Sequence, residues 1–353
     1  FESCRAYHCP RDLPRNETNK PIMALPESAV AYIEQQKQRL RSSGKRPVIV
    51  FPEGGDTRVQ TAAARLAQEG LVAPVLLGKP AMSTPSAIQW VDPEDPARRD
   101  RLADLYFERR RAKGMMRQEA KEAVKHPMRF GSLMVTAGEA DGAVGSAVYT
   151  TADTVRAYLQ CIGLKLQFRR LSAFHLMAVQ DMSYGHQGLL GFSDAAINPN
   201  PTPPELAEIA IASAGTYRQL TGATPNVALL SFSTKGSAQH KDADKVIEAM
   251  RYVRERAPDL NCDGELQADA ALVPSVGQSK AKGSPAAGYA NVLIFPNLDS
   301  ANIGYKLVER LGNAALIVVV MQGLEKPANL ISRGCNAEDA YHCAIVTAVQ
   351  SLK

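Results

Sequence analysis

Ala314 to Met321 is the most apolar run in the chain, and its β-branched centre, Ile317-Val318-Val319-Val320, constrains the fold more than any other stretch. The run is too short for a membrane span and suits a strand buried on both faces, which requires helical layers on either side of a sheet. A polar segment, Gln322 to Asp339, leaves this strand, and a helix is expected over about Ala337 to Ser351 with Asn336 or a neighbour as its cap. Open α/β sheets bind ligands at the carboxyl rim, so Ser332, Arg333 and Asp339 form a candidate reaction centre there. Arg333 offers a permanently charged planar fork for phosphate or carboxylate, Ser332 can donate to an oxyanion, and Asp339 can accept a proton. A carboxylate of ordinary acidity taking a thiol proton faces a mismatch of about 4.6 pKa units, roughly 6 kcal/mol, so a base role requires desolvation or transfer concerted with attack. The same residues also read as a plain helix entry with an N-terminal acid favoured by the dipole, and spacing alone leaves both readings open.

The 353 residues exceed one typical core and point to two domains. A net charge of +5, scattered along the chain, does not imply nucleic acid and is compatible with small anionic ligands. Cys4, Cys9, Cys161, Cys262, Cys335 and Cys343 form no CxxC pair, which favours a reduced, cytoplasmic setting, and the histidines show no metal-type spacing, so no metal is expected. Residues 1 to about 22 are polar and aperiodic and are expected to be a disordered leader or tag, with Met23 as the biological start.

Strand and helix patterns alternate along the rest. Glu27 to Ser42 reads as a helix ending at Gly44, Pro47 to Phe51 as a strand, Thr57 to Gln68 as a helix and Val72 to Leu77 as the next strand, which makes a βαβ unit and a parallel sheet. Gly54-Gly55 is not a GxGxxG fingerprint, and no P-loop occurs. Arg109-Arg110-Arg111 closes a charged helix, a solvated face from which one member could turn into a cleft. Val148 to Asp153 is expected as a loop before a helix over Thr154 to Ile162; Thr150 and Thr151 are either an anion site with Arg156 one turn in or simple caps. Further strands are expected at 173–179, 189–195, 227–231 and 291–295, and helices at 205–220, 242–256 and 301–311. Ser233-Thr234-Lys235-Gly236-Ser237 could cradle phosphate, and Asp263 to Asp269 reads as loop and cap groups.

Several of these segments resemble one family, the phosphate acetyl/butyryltransferases, from about Pro47 to the C-terminus: Leu230 to Ala238, Asp263-Gly264-Glu265-Leu266-Gln267, Gly283-Ser284-Pro285, Asn302-Ile303-Gly304-Tyr305-Lys306 and Ser332-Arg333-Gly334-Cys335. The resemblance implies two three-layer α/β/α domains with an interdomain active-site cleft, an isocitrate/isopropylmalate dehydrogenase-like fold. Domain I would comprise residues 23–165 plus 323–353, and domain II residues 166–322. It implies reversible acetyl transfer between acetyl phosphate and coenzyme A by direct thiolate attack in a ternary complex, with coenzyme A as substrate, no permanently bound cofactor, and a homodimer. Carried over by position, Asp339 becomes the base for the thiol, Arg333 the acetyl phosphate ligand and Ser332 the donor to developing charge. Arg110, Arg156, Thr150, Thr151, Lys235, Ser237 and Gly334 become substrate-binding residues. The family's Asn-Asp-Leu-Ser-Arg reads Asn329-Leu330-Ile331-Ser332-Arg333 here, and its Phe-Pro-Asp-Leu-Asn reads Phe295-Pro296-Asn297-Leu298-Asp299, a compensated exchange. The loss of an acid at Leu330 keeps two other outcomes open, a butyryl or propionyl transferase and a catalytically impaired CoA-binding homologue. Cys335 reads as a structural thiol, since a ternary mechanism needs no second nucleophile.

Overall fold

The computed structural model describes residues 25–80 and 88–352; the expected leader, Cys4, Cys9 and Met23 lie outside them. Its strands are β1 (Val48–Phe51), β2 (Ala73–Leu77), β3 (Gln89–Val91), β4 (Gly142–Gly145), β5 (Ser172–Ala178), β6 (Leu189–Ser193), β7 (Val227–Leu230), β8 (Cys262–Leu266), β9 (Val292–Ile294), β10 (Ala315–Gln322) and β11 (Ala328–Leu330). They form one sheet in the order β3-β2-β1-β4-β11-β10-β5-β6-β9-β7-β8. β10 and β5 run antiparallel to their neighbours, so the sheet is mixed where a parallel one was expected.

Alternation along the strands fills both faces. In β1, Ile49 and Phe51 join one core while Val50 joins another; in β7, Val227 and Leu229 face away from Ala228 and Leu230. One core is continuous across the sheet and takes in α1 (Glu27–Ser43), α2 (Thr57–Glu69), α7 (Pro203–Thr221), α8 (Lys241–Arg256) and α12 (Ala337–Ser351). The opposite face carries two separate cores. One lies under α3 (Pro96–Arg110), α4 (Arg117–Val124), α5 (Pro127–Ala137) and α6 (Thr151–Cys161); the other lies under α9 (Ala268–Leu272) and α11 (Leu298–Leu311).

Three expectations need correction. The segment 322–339 is not a single loop, because Ala328-Asn329-Leu330 forms β11 and turns the chain back antiparallel to β10. Ser332 therefore sits at the carboxyl end of β11, not of the apolar strand before it. Pro327 before this strand and a buried Asn at its centre hid it. Asn329 is fully buried, and its amide is consumed by Met321 N–H (3.0 Å), Thr347 (2.9 Å) and Gln350 (2.6 Å). Asp263 and Glu265 lie within β8 and are buried there, not on a loop. Finally, α6 begins at Thr151 rather than Thr154, with Thr150 as its N-cap.

Candidate active site

β1, β4 and β11 are parallel neighbours, so loops 52–56, 146–150 and 331–336 leave the sheet on one rim. The helices that follow β1 and β4 pack on opposite faces, α2 against α12 and α6 against α5, the arrangement that in open α/β sheets marks the ligand-binding end of the strands. Two side chains hold the loops together. Glu53, buried at the end of β1, accepts three successive N–H groups, from Ala147 (2.8 Å), Val148 (2.7 Å) and Tyr149 (2.8 Å). Arg58, in the first turn of α2, donates to the carbonyls of Arg333 (2.7 Å), Cys335 (3.0 Å) and Ala147 (2.9 Å). Both oxygens of Asp56 fix that guanidinium (3.0 and 2.7 Å), and Arg58 in turn holds the Asp56 carboxyl below its ordinary range.

Neither Glu53 nor Arg58 stood out in the sequence. The available signal was Arg58 itself: a cation in the first turn of a helix opposes the dipole and needs another partner.

Ser332, Arg333 and Gly334 form an exposed turn in which Ser332 Oγ accepts from Gly334 N–H (3.2 Å) and the Ser332 carbonyl from Cys335 N–H (2.9 Å). Asp339 stands half-buried in the first turn of α12. It exchanges bonds with the N-cap: its N–H donates to Asn336 Oδ1 and its Oδ2 accepts from Asn336 N–H, both at 2.9 Å. Cys335 is buried, and burial pushes its thiol up despite the nearby Arg58, as befits a structural thiol.

Thr150 caps α6 through Asp153 N–H (3.1 Å) and donates to the Asp153 carboxylate (2.7 Å). Thr151 is the first residue of the helix and exposed; Arg156, also exposed, pairs with Asp153 (3.0 Å). Thr151, Arg156, Leu159 and Gln160 line a cavity of about 560 Å³ closed on the other side by Ala196 and Ile197. Arg110, at the end of α3, lies behind this wall: Tyr106, one turn before it, donates to Gln160 (2.9 Å). Among the described residues Arg110 Nε is buried without a hydrogen-bond partner.

Lys235 and Ser237 are not brought to this centre. Lys235 Nζ bonds Asp263 (2.6 Å), and Ser237 Oγ accepts from Thr234 N–H (3.0 Å). An acid from the neighbouring strand β8 fills the expected phosphate cradle, because Glu265 Oε1 takes Gly236 N–H (2.7 Å) and Ser233 Oγ (3.0 Å). β7 and β8, moreover, stand at the far edge of the sheet from β1. Among the described residues no group of three or more metal-ligating side chains occurs.

The family model for phosphate acetyl/butaryl transferase matches residues 31–348. The chain belongs to that family. It is 42% identical over 329 residues to a phosphate acetyltransferase of Acetivibrio thermocellus, covering 91% of this chain and 98% of that one. With a phosphate acetyltransferase of Bacillus subtilis the identity is 41% over 319 residues, covering 88% and 96%. Among solved structures, a phosphotransacetylase from Streptococcus pyogenes superposes with a TM-score of 0.84 at 42% identity, covering 90% of this chain and 98% of that one. A branched-chain phosphotransacylase from Enterococcus faecalis shares the fold, with a TM-score of 0.66 at 17% identity, covering 87% and 99%.

The departures from the family pattern lie in the scaffold. Leu330 is buried in the core under α3 to α6. Asn297 caps α11 by accepting from Ser300 N–H (2.9 Å), with Asp299 in that helix's first turn, so the exchanged pair still supplies both a cap and an N-terminal acid.

Proposed function

We propose that this chain is a phosphate acetyltransferase that moves acetyl reversibly between acetyl phosphate and coenzyme A. The observation that carries the reading is 42% identity, across nine-tenths of both chains, to a relative that bears that name. In the proposed reaction the coenzyme A sulfur bonds to the acetyl carbon, the carbon–oxygen bond to phosphate breaks, and inorganic phosphate leaves. Arg333 grips the phosphoryl oxygens, Ser332 donates to the developing oxyanion and Asp339 takes the thiol proton through the oxygen its cap leaves free. The Gly334 turn keeps the backbone close to the acyl phosphate. Thr150, Thr151 and Arg156 line the coenzyme A side of the cleft, with Arg110 behind them. Holding both reactants on one rim supplies most of the acceleration through proximity and oxyanion stabilisation.

The cleft would separate two domains, 23–165 plus 323–353 and 166–322, and the split core on one face of the sheet supports that division. A homodimer is supported by the exposed stripe Ile303, Leu307 and Leu311 on α11, spaced by one helical turn. A reducing cytoplasm is supported by the four free, buried cysteines among the described residues.

The test is acetyl-CoA formation from acetyl phosphate with phosphate release followed alongside, and butyryl phosphate as competitor. Stoichiometric, thiol-dependent release of phosphate, with a higher kcat/KM for acetyl than for butyryl phosphate, is expected. Binding of coenzyme A with no turnover would overturn the reading.

A further inference from the structure

We propose that the cavity beside the edge strand β8 is a binding site for a small dianion, separate from the loops of β1, β4 and β11. It encloses about 470 Å³, within the range of small-molecule sites. Three segments distant in sequence each bring a cation to it: Lys235 from the β7–α8 loop, Arg254 from the last turn of α8 and Lys282 from the turn after α10 (Pro274–Lys280). They surround a single carboxylate, Asp263, whose side chain is 4% exposed; Lys235 stands 2.6 Å from it and Arg254 3.6 Å. Among the described residues Lys282 has no carboxylate within 4.0 Å. Three cations around one anion leave a surplus of two positive charges in a concave site, and such a field attracts an anion of matching charge.

The lining supplies the rest of a ligand site. Ser284 Oγ accepts from Ala286 N–H (3.4 Å) and Ala287 N–H (3.1 Å), which leaves its hydroxyl hydrogen to donate. Val253 and Leu260 offer apolar contact to a short carbon body. Lys235 takes up its place with φ of +49°, a left-handed conformation rarely held by a side chain of its kind, and such strain clusters at ligand clamps. Lys235, Asp263 and Gly283-Ser284-Pro285 all belong to motifs that carry the family resemblance, and the acetyl transfer proposed above gives none of them a role. The matching ligand is a small organic dianion, a phosphate monoester or a dicarboxylate.

Titration calorimetry of the full chain with glycerol 3-phosphate and, separately, with succinate distinguishes the two heads by which binds more tightly. Saturable binding of at least one, at one molecule per chain, is expected. In Arg254→Gln/Lys282→Gln the affinity falls about tenfold or more, since each loses a charge-assisted contact. Both side chains are exposed and Asp263 keeps Lys235, so the variant retains the fold. Arg333→Gln, which alters the reaction loop alone, leaves the affinity unchanged. Absence of saturable binding by either probe, unaltered binding in the double variant, or loss of binding in Arg333→Gln would each overturn the proposal. None of these outcomes bears on acetyl-CoA formation, which is measured separately.

Discussion

Two loop systems in this molecule are each closed by a buried glutamate, with opposite results. At the end of β1, Glu53 takes the backbone N–H groups of residues 147–149 from behind, and Thr151, Ser332 and Arg333 remain exposed on the front of the rim. After β7, Glu265 takes Gly236 N–H and Ser233 Oγ, the very donors that a phosphate would use. A run of small donors around a lysine is therefore no anion cradle when the protein's own carboxylate already occupies it. What decides is which donors the internal acid consumes.

The largest expected effect in this contrast comes from Glu53→Gln. The amide can accept from some of the three N–H groups but presents its own donors to another, so stability should fall by about 3 kcal/mol in urea unfolding. The displaced loop should lower kcat/KM about a hundredfold. Arg58→Met comes next, at about 2 kcal/mol and about tenfold in kcat/KM, because three carbonyls lose their donor.

The Arg58 variant also has a pH signature. Arg58 depresses the folded pKa of Asp56 below its ordinary 3.8, so the pair stabilises above that value, and the contribution is lost as pH falls from there through the depressed value. Below pH about 4, wild type should therefore lose stability more steeply than Arg58→Met in acid titrations of unfolding.

Glu265→Gln sharpens the other side. It should cost about 1 to 2 kcal/mol of stability while kcat/KM stays within about twofold. The smallest effect is expected for Ser237→Ala, about 0.5 to 1 kcal/mol in unfolding with unchanged KM for both substrates. A marked rise in KM for either variant would return the β7 loop to the reaction centre.

Much of the scaffold was legible because long periodic segments declare themselves. The helix at 337–351, its Asn336 cap, the αL glycine at 44 and the βαβ unit at 48–77 all stand where apolar spacing and cap chemistry place them. What escaped were short strands whose buried polar residues break the pattern: Asn329 in β11, and Asp263 and Glu265 in β8. Each is satisfied by partners far away in sequence or in the next segment, which local reading cannot see. The site divides in the same way. The exposed polar groups Ser332, Arg333 and Thr151 were visible as residue types on a rim, whereas Glu53 and Arg58 act through backbone groups 89 residues or more away and show their role only after folding.

The central claim is that Asp339, beside the Arg333 loop, receives the thiol proton. Asp339→Asn keeps an oxygen to accept from Asn336 N–H, so the α12 cap and the melting temperature should be retained. Measured at saturating acetyl phosphate and coenzyme A, kcat of this variant should fall by about 10² to 10⁴ with little change in either KM. An Asp339→Asn enzyme that melts like wild type and turns over at the wild-type rate would contradict the account and leave Asp339 as a helix cap alone.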